Sequence, residues 1–346
     1  MQITNIQNCP GTLAVGYNTY SPTALRRMFD NKKVSHLLDF SNDNESRTLI
    51  DENIGRISIS GVQEKMSAVV EKRKIILTPE GVQGRYILKP APDDKRLNNR
   101  KQMPANEHLT MQIARQVYGI ATAENALIFF QNGEPAYITK RFDIKNDNTK
   151  IKQEDFASLS QKTSETHGKY FKYTGSYADL GIMLQKYVAA WKVEVGKFFR
   201  LILFNYLFGN GDAHLKNFSL QQTENGDYLL TPAYDLLNTS LHIHDENFAL
   251  EGGLFGKEFY SEIYQQTGNP CQDDFINFGR MINVPDIQIE KIMTDFLTFQ
   301  PLVCELTERS FLNEKIKRMY IHRYEERLAR LRRSWVENSV LENLKK

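Results

Sequence analysis

Cysteine is scarce in this chain of 346 residues. Cys9, Cys271 and Cys304 are scattered and form no CxxC pair. Such spacing supports neither a zinc site nor a disulfide framework, and it fits a reducing, cytoplasmic setting. Long apolar runs are also missing. No stretch approaches the roughly 18–20 residues that span a bilayer, so no membrane partner is expected. The N-terminus, Met1-Gln-Ile-Thr-Asn-Ile-Gln-Asn8, lacks the charged-then-apolar order of a secretory signal. Nor is there an excess of one charge sign: 44 Lys and Arg against 42 Asp and Glu leave +2. Whole-molecule electrostatics therefore give no argument for nucleic acid, and no direct nucleic-acid binding is expected. Internal repeats, low-complexity segments and a Walker A sequence are absent as well.

What remains is an ordinary globular composition, with 41% hydrophobic and 25% charged residues. The length allows two lobes. Ser21-Pro22 reads as a helix start. Met66–Val70, Lys74–Thr78 and Arg85–Lys89 are short β-like runs, broken by Lys-Arg and by Gly81 and Gly84. Asn106–Tyr118 has Leu109, Ile113 and Val117 on one helical stripe, with Gly119 beyond its end. Ala126–Phe130 and Ala136–Arg141 are strand-like and flank a turn at Asn132-Gly133. After Asp143 the pattern turns helical, over Leu180–Tyr187, Glu194–Phe208, Phe275–Met281, Pro285–Leu297 and Phe311–Ser334. The expectation is an α+β, two-lobed, protein-kinase-like fold. Residues 1–141 would form a small β-rich lobe and 142–346 an α-helical one, with the polar segment 145–152 as an exposed loop beside the hinge.

The densest chemistry lies in Gly209-Asn-Gly-Asp212-Ala-His214-Leu-Lys216-Asn217 and in Tyr234-Asp235. Asn225-Gly226 between them is a tight-turn signal flanked by β-favouring runs, so a hairpin would place Asn217 beside Asp235. Those two oxygen-bearing side chains suit one divalent cation next to a nucleotide. Asp212 precedes Asn217 by the spacing that separates the catalytic base from the magnesium-binding Asn in protein kinases. The three together point to phosphoryl transfer. Taken singly, an Asp in a Gly/Asn-rich loop more often caps a turn or a helix. His214 and Lys216 either touch phosphate or order the loop. Ile57–Lys65, with Ser58, Ser60, Gly61 and Val62, suits a loop over phosphates, or else an edge strand with a bulge at Gly61. Lys89, ending an apolar strand, can reach the α/β-phosphates; a solvated strand-end Lys is the alternative. Glu107 reads as opening the next helix, where it either pairs with Lys89 or complements the helix dipole. The basic segment 315–333 is amphipathic with a solvated charged face. Trp191 and Trp335 read as core packing.

On these residues the chain resembles the HipA family of serine/threonine kinases, toxins of bacterial toxin–antitoxin modules. The matching stretches are Ile57–Lys65, Ile87–Pro90, Asn106–His108, Lys140–Asp143, Gln153–Phe156, Gly209–Ser219 and Thr231–Asp235, in order. The resemblance implies a catalytic Asp212, metal-holding Asn217 and Asp235, a nucleotide-binding Lys89, and a hinge at Lys140, Arg141 and Phe142 lining an adenine pocket. It also implies autophosphorylation at Ser58, with Ser60 a second candidate. Implied cofactors are ATP and Mg2+, and the implied substrate class is an aminoacyl-tRNA synthetase. Fewer than sixty residues precede Ser58, which resembles the short, HipT-like form that works with a small HipS-like protein and a HipB-like DNA-binding antitoxin. Two rivals stay open: a small-molecule kinase, and a non-catalytic ATP-binding partner of a DNA-binding antitoxin.

Overall fold

The computed structural model describes residues 6–41, 64–79, 81–145, 147–256 and 260–334. Ser58, Ser60, Gly61, Val62 and Trp335 lie outside the described residues, so the expectations attached to them have no structural counterpart. Helix α1, Pro22–Phe29, begins as its sequence dictates. The Ser21 hydroxyl accepts from the Ala24 amide at 3.2 Å, and Pro22 fills a position that needs no donor.

Five antiparallel strands follow: β1 Met66–Glu71, β2 Lys74–Leu77, β3 Tyr86–Lys89, β4 Asn125–Phe129 and β5 Pro135–Lys140, in the order β2-β1-β3-β5-β4. The β1–β2 turn uses Lys72 and Arg73, both left-handed, where glycine would have been the easier choice. Between β3 and β4 runs α2, Met103–Gln116.

Alternation along the strands gives the sheet two buried faces. Tyr86, Leu88, Ala126, Ile128, Ala136 and Ile138 face a core that includes Tyr20, Met28 and Phe29 from the α1 region. Leu127, Phe129 and Tyr137 face the opposite way, into a larger core shared with α2 and the helical part. Lys89 pairs in register with Tyr137 and so belongs to this second face. Helix α2 departs from the expected single apolar stripe. Every residue from Met103 to Ala114 is buried, including Asn106, Glu107, His108, Thr110 and Gln112. Sandwiched between sheet and helices, it has no solvent side for its polar groups, and several of them bond across it: the Thr110 hydroxyl lies 2.9 Å from the Tyr320 hydroxyl. It also starts three residues earlier than expected, so Glu107 sits in its second turn and caps nothing.

The helical part contains α3 Tyr177–Tyr187, α4 Trp191–Leu207, α5 Gln272–Met281, α6 Asp286–Leu297, α7 Pro301–Arg309 and α8 Glu314–Leu331. In α4, Phe198, Phe199, Leu201, Ile202, Leu203 and Phe204 are buried, as its apolar run requires. Helix α7 escaped the sequence reading although Pro301 at its start and Val303 and Leu306 on one face were legible signals; it packs on α2 and α8. A second sheet, β6 Gln153–Asp155, β7 Ser219–Gln222 and β8 Tyr228–Leu230, pairs in that order. Strands β7 and β8 form the expected hairpin with Gly226 left-handed, and β6 is an addition. No helix among the described residues is long and apolar enough to cross a membrane.

Candidate active site

Two clusters of functional side chains assemble at the junction of the sheet and the helical part. The first is buried. Lys89 leaves the end of β3 with 4% of its surface exposed and donates to Glu107 Oε1 of α2 at 2.7 Å. It also donates to Asp235 Oδ1. Its ammonium lies 5.2 Å from the centre of the Tyr137 ring. Lys65 reaches Asp235 Oδ2 at 3.6 Å. Burial alone would lower the Lys89 pKa, but the carboxylates of Asp235 and Glu107 overcome it and hold the ammonium charged. Burial pushes Glu107 up despite Lys89, whereas Lys89 and Lys65 hold Asp235 well below the usual carboxylate range against its own desolvation. Removing one partner from a buried ion pair of this kind costs roughly 3–5 kcal/mol.

The second cluster is open to solvent. Gly209, with a φ of +61° that suits glycine, follows the Phe208 cap of α4, and the loop beyond it carries Asp212. A Cβ at Gly211 would overlap the Asp245 carboxylate, so a larger residue there requires that side chain to shift. Asp212 is 51% exposed, and its Oδ1 accepts from the Tyr173 hydroxyl at 2.8 Å. His214 Nε2 lies 3.9 Å from the same oxygen and 2.8 Å from Lys172 Nζ. Burial pushes the His214 ring down to about 4, so it is neutral near pH 7 and accepts from the ammonium. Asn217 ends a 3-10 turn, Leu215–Asn217, and its Oδ1 accepts from the His214 amide at 3.1 Å.

Asn210 joins the two clusters. Its side-chain amide donates to Asn205 Oδ1 at 2.9 Å and, at 3.5 Å, to the backbone carbonyl of Asp235. Its own oxygen accepts from the Asp212 amide at 3.4 Å. On the far side, Asn106 of α2 donates to the Asn238 carbonyl at 2.9 Å, and its Oδ1 accepts from the Asn238 amide at 3.3 Å. The segment after Asp235 is therefore tied to the helix that carries Glu107. His242 supports the same joint: its Nδ1 donates to the Asn98 carbonyl at 2.9 Å, leaving Nε2 to accept from Asn106 at 2.8 Å.

Among the residues singled out in the sequence, the structure brings Lys89, Glu107 and Asp235 into direct contact. It places Asp212, His214 and Asn217 along one loop, with Lys216 above the Phe171 ring at 5.7 Å. Asn217 and Asp235 are not hydrogen-bonded to each other. In the hairpin register Leu220 faces Leu230 and the Thr231 amide donates to Ser219, and both Asn217 and Asp235 lie beyond the paired residues. Asp235 is left-handed, with φ 56°, and its carboxylate turns to the lysines. At the hinge, Lys140 pairs with Asp30 at 2.5 Å and Arg141 with Asp143 at 2.6 Å. Phe142 packs on Tyr234 at 5.8 Å and accepts through its carbonyl from Gln221 at 2.9 Å. A cavity of about 450 Å3 opens beside Asp30 and Tyr86, and one of about 510 Å3 beside Lys152 and Gln221; neither is lined by Lys89, Asp212 or Asp235.

Lys65, Lys172, Tyr173, Asn205, Asn210, Asn106, His242 and Asp245 were not assigned roles from the sequence. Lys65, Asn106 and Asn210 stood inside quoted motifs; Lys172, Tyr173, Asn205, His242 and Asp245 did not and carry no local pattern. The donor set suits magnesium held together with phosphate. Asn217 and Asp235 offer oxygen, and no group of three or more His, Cys, Asp or Glu that could hold a metal occurs among the described residues. Mg2+ commonly takes one or two carboxylates and completes its shell with water and substrate phosphates. The lysines around Asp235 fit a polyanion better than a bare cation.

Comparison with known proteins places this geometry in context. The family model described as HipA-like C-terminal domain matches residues 57–299. A Haemophilus influenzae protein named "Putative kinase" is 27% identical over 330 residues, covering 90% of this chain and 92% of that protein. A Sinorhizobium fredii protein named "Putative kinase Y4dM" is 33% identical over 211 residues, 57% of this chain and 48% of its own length. Among solved structures, HipA of Shewanella oneidensis MR-1, in complex with HipB and operator DNA, matches with TM-score 0.57 and 21% identity, covering 80% of this chain and 64% of that one. A Helicobacter pylori proinflammatory kinase, CtkA, matches with TM-score 0.48 and 16% identity over 78% of this chain and 90% of that one. The chain thus spans nearly all of one relative, about half of another and under two thirds of the Shewanella protein. The likeness to Shewanella HipA bears out the two-lobed, kinase-like fold.

Proposed function

The chain belongs to the HipA-like C-terminal domain family, and on that footing we propose that it is an ATP- and magnesium-dependent kinase acting on serine or threonine hydroxyls of a protein. The observation that carries this reading is the charge set Lys89–Glu107–Asp235, tied through Asn210 to an exposed Asp212. A buried lysine held charged by two carboxylates, beside an open carboxylate on a loop, is the apparatus phosphoryl transfer needs: positioning of phosphates and a proton acceptor for the attacking hydroxyl.

In this reading Lys89 contacts the α/β-phosphates and Glu107 fixes its direction. Asn217 and Asp235 are the residues that hold magnesium, which when bound supplies positive charge to the β- and γ-phosphates. Lys216 and His214 face the phosphates from the loop, and Lys140, Arg141 and Phe142 border the adenine. Asp212 takes the proton of the acceptor hydroxyl. Ser58 or Ser60 is the self-phosphorylated residue, with Ser60, Gly61 and Val62 over the phosphates. A phosphoserine there adds a charge of about −1.5 to −2, which opposes ATP.

As to role, the chain acts as the toxin of a toxin–antitoxin pair in the cytoplasm. Its target is an aminoacyl-tRNA synthetase, and it is restrained by a HipB-like DNA-binding antitoxin and a small HipS-like protein. The HipB and operator complex of Shewanella HipA supports the antitoxin partner.

The test is incubation of the protein with γ-labelled ATP, magnesium and a cell lysate. Wild type should label itself and a discrete protein target. Asp212→Ala and Asp235→Ala should lower both by at least a hundredfold, and Ser58→Ala/Ser60→Ala should remove the self-labelling. Equal labelling by wild type and the two Asp variants rejects the assignment.

A further inference from the structure

Tyr173 is 39 residues from Asp212 in sequence, yet its hydroxyl donates to Asp212 Oδ1 at 2.8 Å. It sits on a short 3-10 turn, Phe171–Tyr173, that is anchored on three sides. The Tyr173 carbonyl accepts from the Glu251 amide at 2.9 Å. Lys172 donates to His214 Nε2 at 2.8 Å, and Lys216 lies over the Phe171 ring at 5.7 Å. The His214 ring meets the Tyr173 ring edge-on at 5.3 Å, and the Lys172 ammonium lies 4.9 Å from the Tyr173 ring centre. The turn therefore docks against Leu215–Asn217. An exposed aspartate on a glycine-rich loop has little else to fix its χ angles. Asp212 Oδ2 carries no hydrogen bond among the described residues, while Oδ1 is claimed by the phenol.

We propose that Tyr173 is a positioning residue for the base: its hydroxyl holds Asp212 Oδ1 so that Oδ2 is presented to the acceptor hydroxyl. The inference rests on the kinase reading above. In the transfer step the acceptor oxygen bonds the γ-phosphorus, its proton passes to Oδ2, and ADP leaves with the bridging oxygen's electron pair. Tyr173 exchanges no proton. It plays toward Asp212 the part that an orienting carboxylate plays toward a catalytic histidine. Lys172 serves the same end indirectly, since its bond to the neutral His214 fixes the turn that carries the phenol.

The experiment follows the release of label from γ-labelled ATP, to protein or to water. It compares wild type, Tyr173→Phe, Asp212→Asn and the double variant, each checked for folding by thermal unfolding. Tyr173→Phe should lower kcat on the order of tenfold with KM for ATP unchanged. In the Asp212→Asn background the same change should cost nothing further, the signature of two residues acting as one unit. An unchanged kcat in a folded Tyr173→Phe protein overturns the proposal while leaving the kinase reading intact. An equal loss in both backgrounds overturns it too, and marks Tyr173 as structural. Failure of wild type to release label at all, or full activity of Asp212→Asn, sinks the reading on which the proposal rests.

Discussion

Lys89 and Asp212 stand on opposite sides of the same site and are built on opposite principles. Around Lys89 the ammonium and the Glu107 carboxylate are buried while Asp235 is partly exposed, and the partners come from a strand, a helix and a turn that the fold cannot move independently. Around Asp212 the carboxylate is half exposed, and its partners are a phenol and a neutral histidine delivered by loops. On the proposed kinase reading the difference is a division of labour common in active sites. Groups that bind a highly charged ligand are preorganised at a folding cost, while the group that accepts a proton keeps access to its substrate. Stability should accordingly depend on the first cluster and catalytic rate on the second.

The sharpest way to break that comparison is Lys89→Met. It leaves Glu107 buried without its cation, so the protein should lose roughly 3 kcal/mol as well as its activity, read as a lowered urea midpoint. Asp212→Asn should lose activity with a midpoint shift within about 0.5 kcal/mol. Equal destabilisation by the two would erase the distinction.

Acidification gives a smaller effect of predictable sign. Burial pushes the His108 and His214 rings from 6.5 down to about 4. Between those values the unfolded chain takes up protons that the folded rings refuse. Stability should therefore fall as pH drops from 6.5 toward 4 and gain nothing further from these groups below that. Glu107, raised by burial, acts in the opposite direction and blunts the fall. Chemical denaturation at pH 7, 5.5 and 4.5 should show the decline, and His214→Asn should reduce its slope; a slope unchanged by that substitution contradicts the assignment.

Smallest is the joint itself. Asn210→Ala removes the links to Asn205, Asp212 and Asp235 and should cost about 1–2 kcal/mol, with a several-fold loss of kcat from loosened alignment of the two clusters. A variant with normal stability and normal kcat would mean that the clusters are held together by something else.

The sequence was most informative where one segment carries its own physics. The β-runs, the Asn225-Gly226 hairpin and the apolar α4 have periodicity or turn chemistry that few folds contradict, and they appear within a few residues of expectation. The Gly209–Asn217 motif was legible because its residues are adjacent. Helix α2 misled because a hydrophobic stripe shows which face must be buried but not whether the other face is free. There the polar residues Asn106, Glu107 and His108 turned out to be interior, and Glu107 no first-turn carboxylate. Asn217 and Asp235 lie beyond the paired residues of the hairpin, so its register alone does not set how they face each other. The sequence reading also overlooked the lysines, which reach Asp235 from 146 and 170 residues away.

The linear chain by itself settled which chemistries were available: oxygen donors and lysines, no apolar run long enough to span a bilayer, and an Asp–Asn spacing suited to phosphate. Only the folded arrangement decided which of these groups are partners. Hydrogen bonds such as Tyr173 to Asp212 and Asn106 to Asn238 join segments with no shared pattern. Their strength depends on burial and direction, and both of those exist only once the sheet, α2 and the helical part have closed on one another.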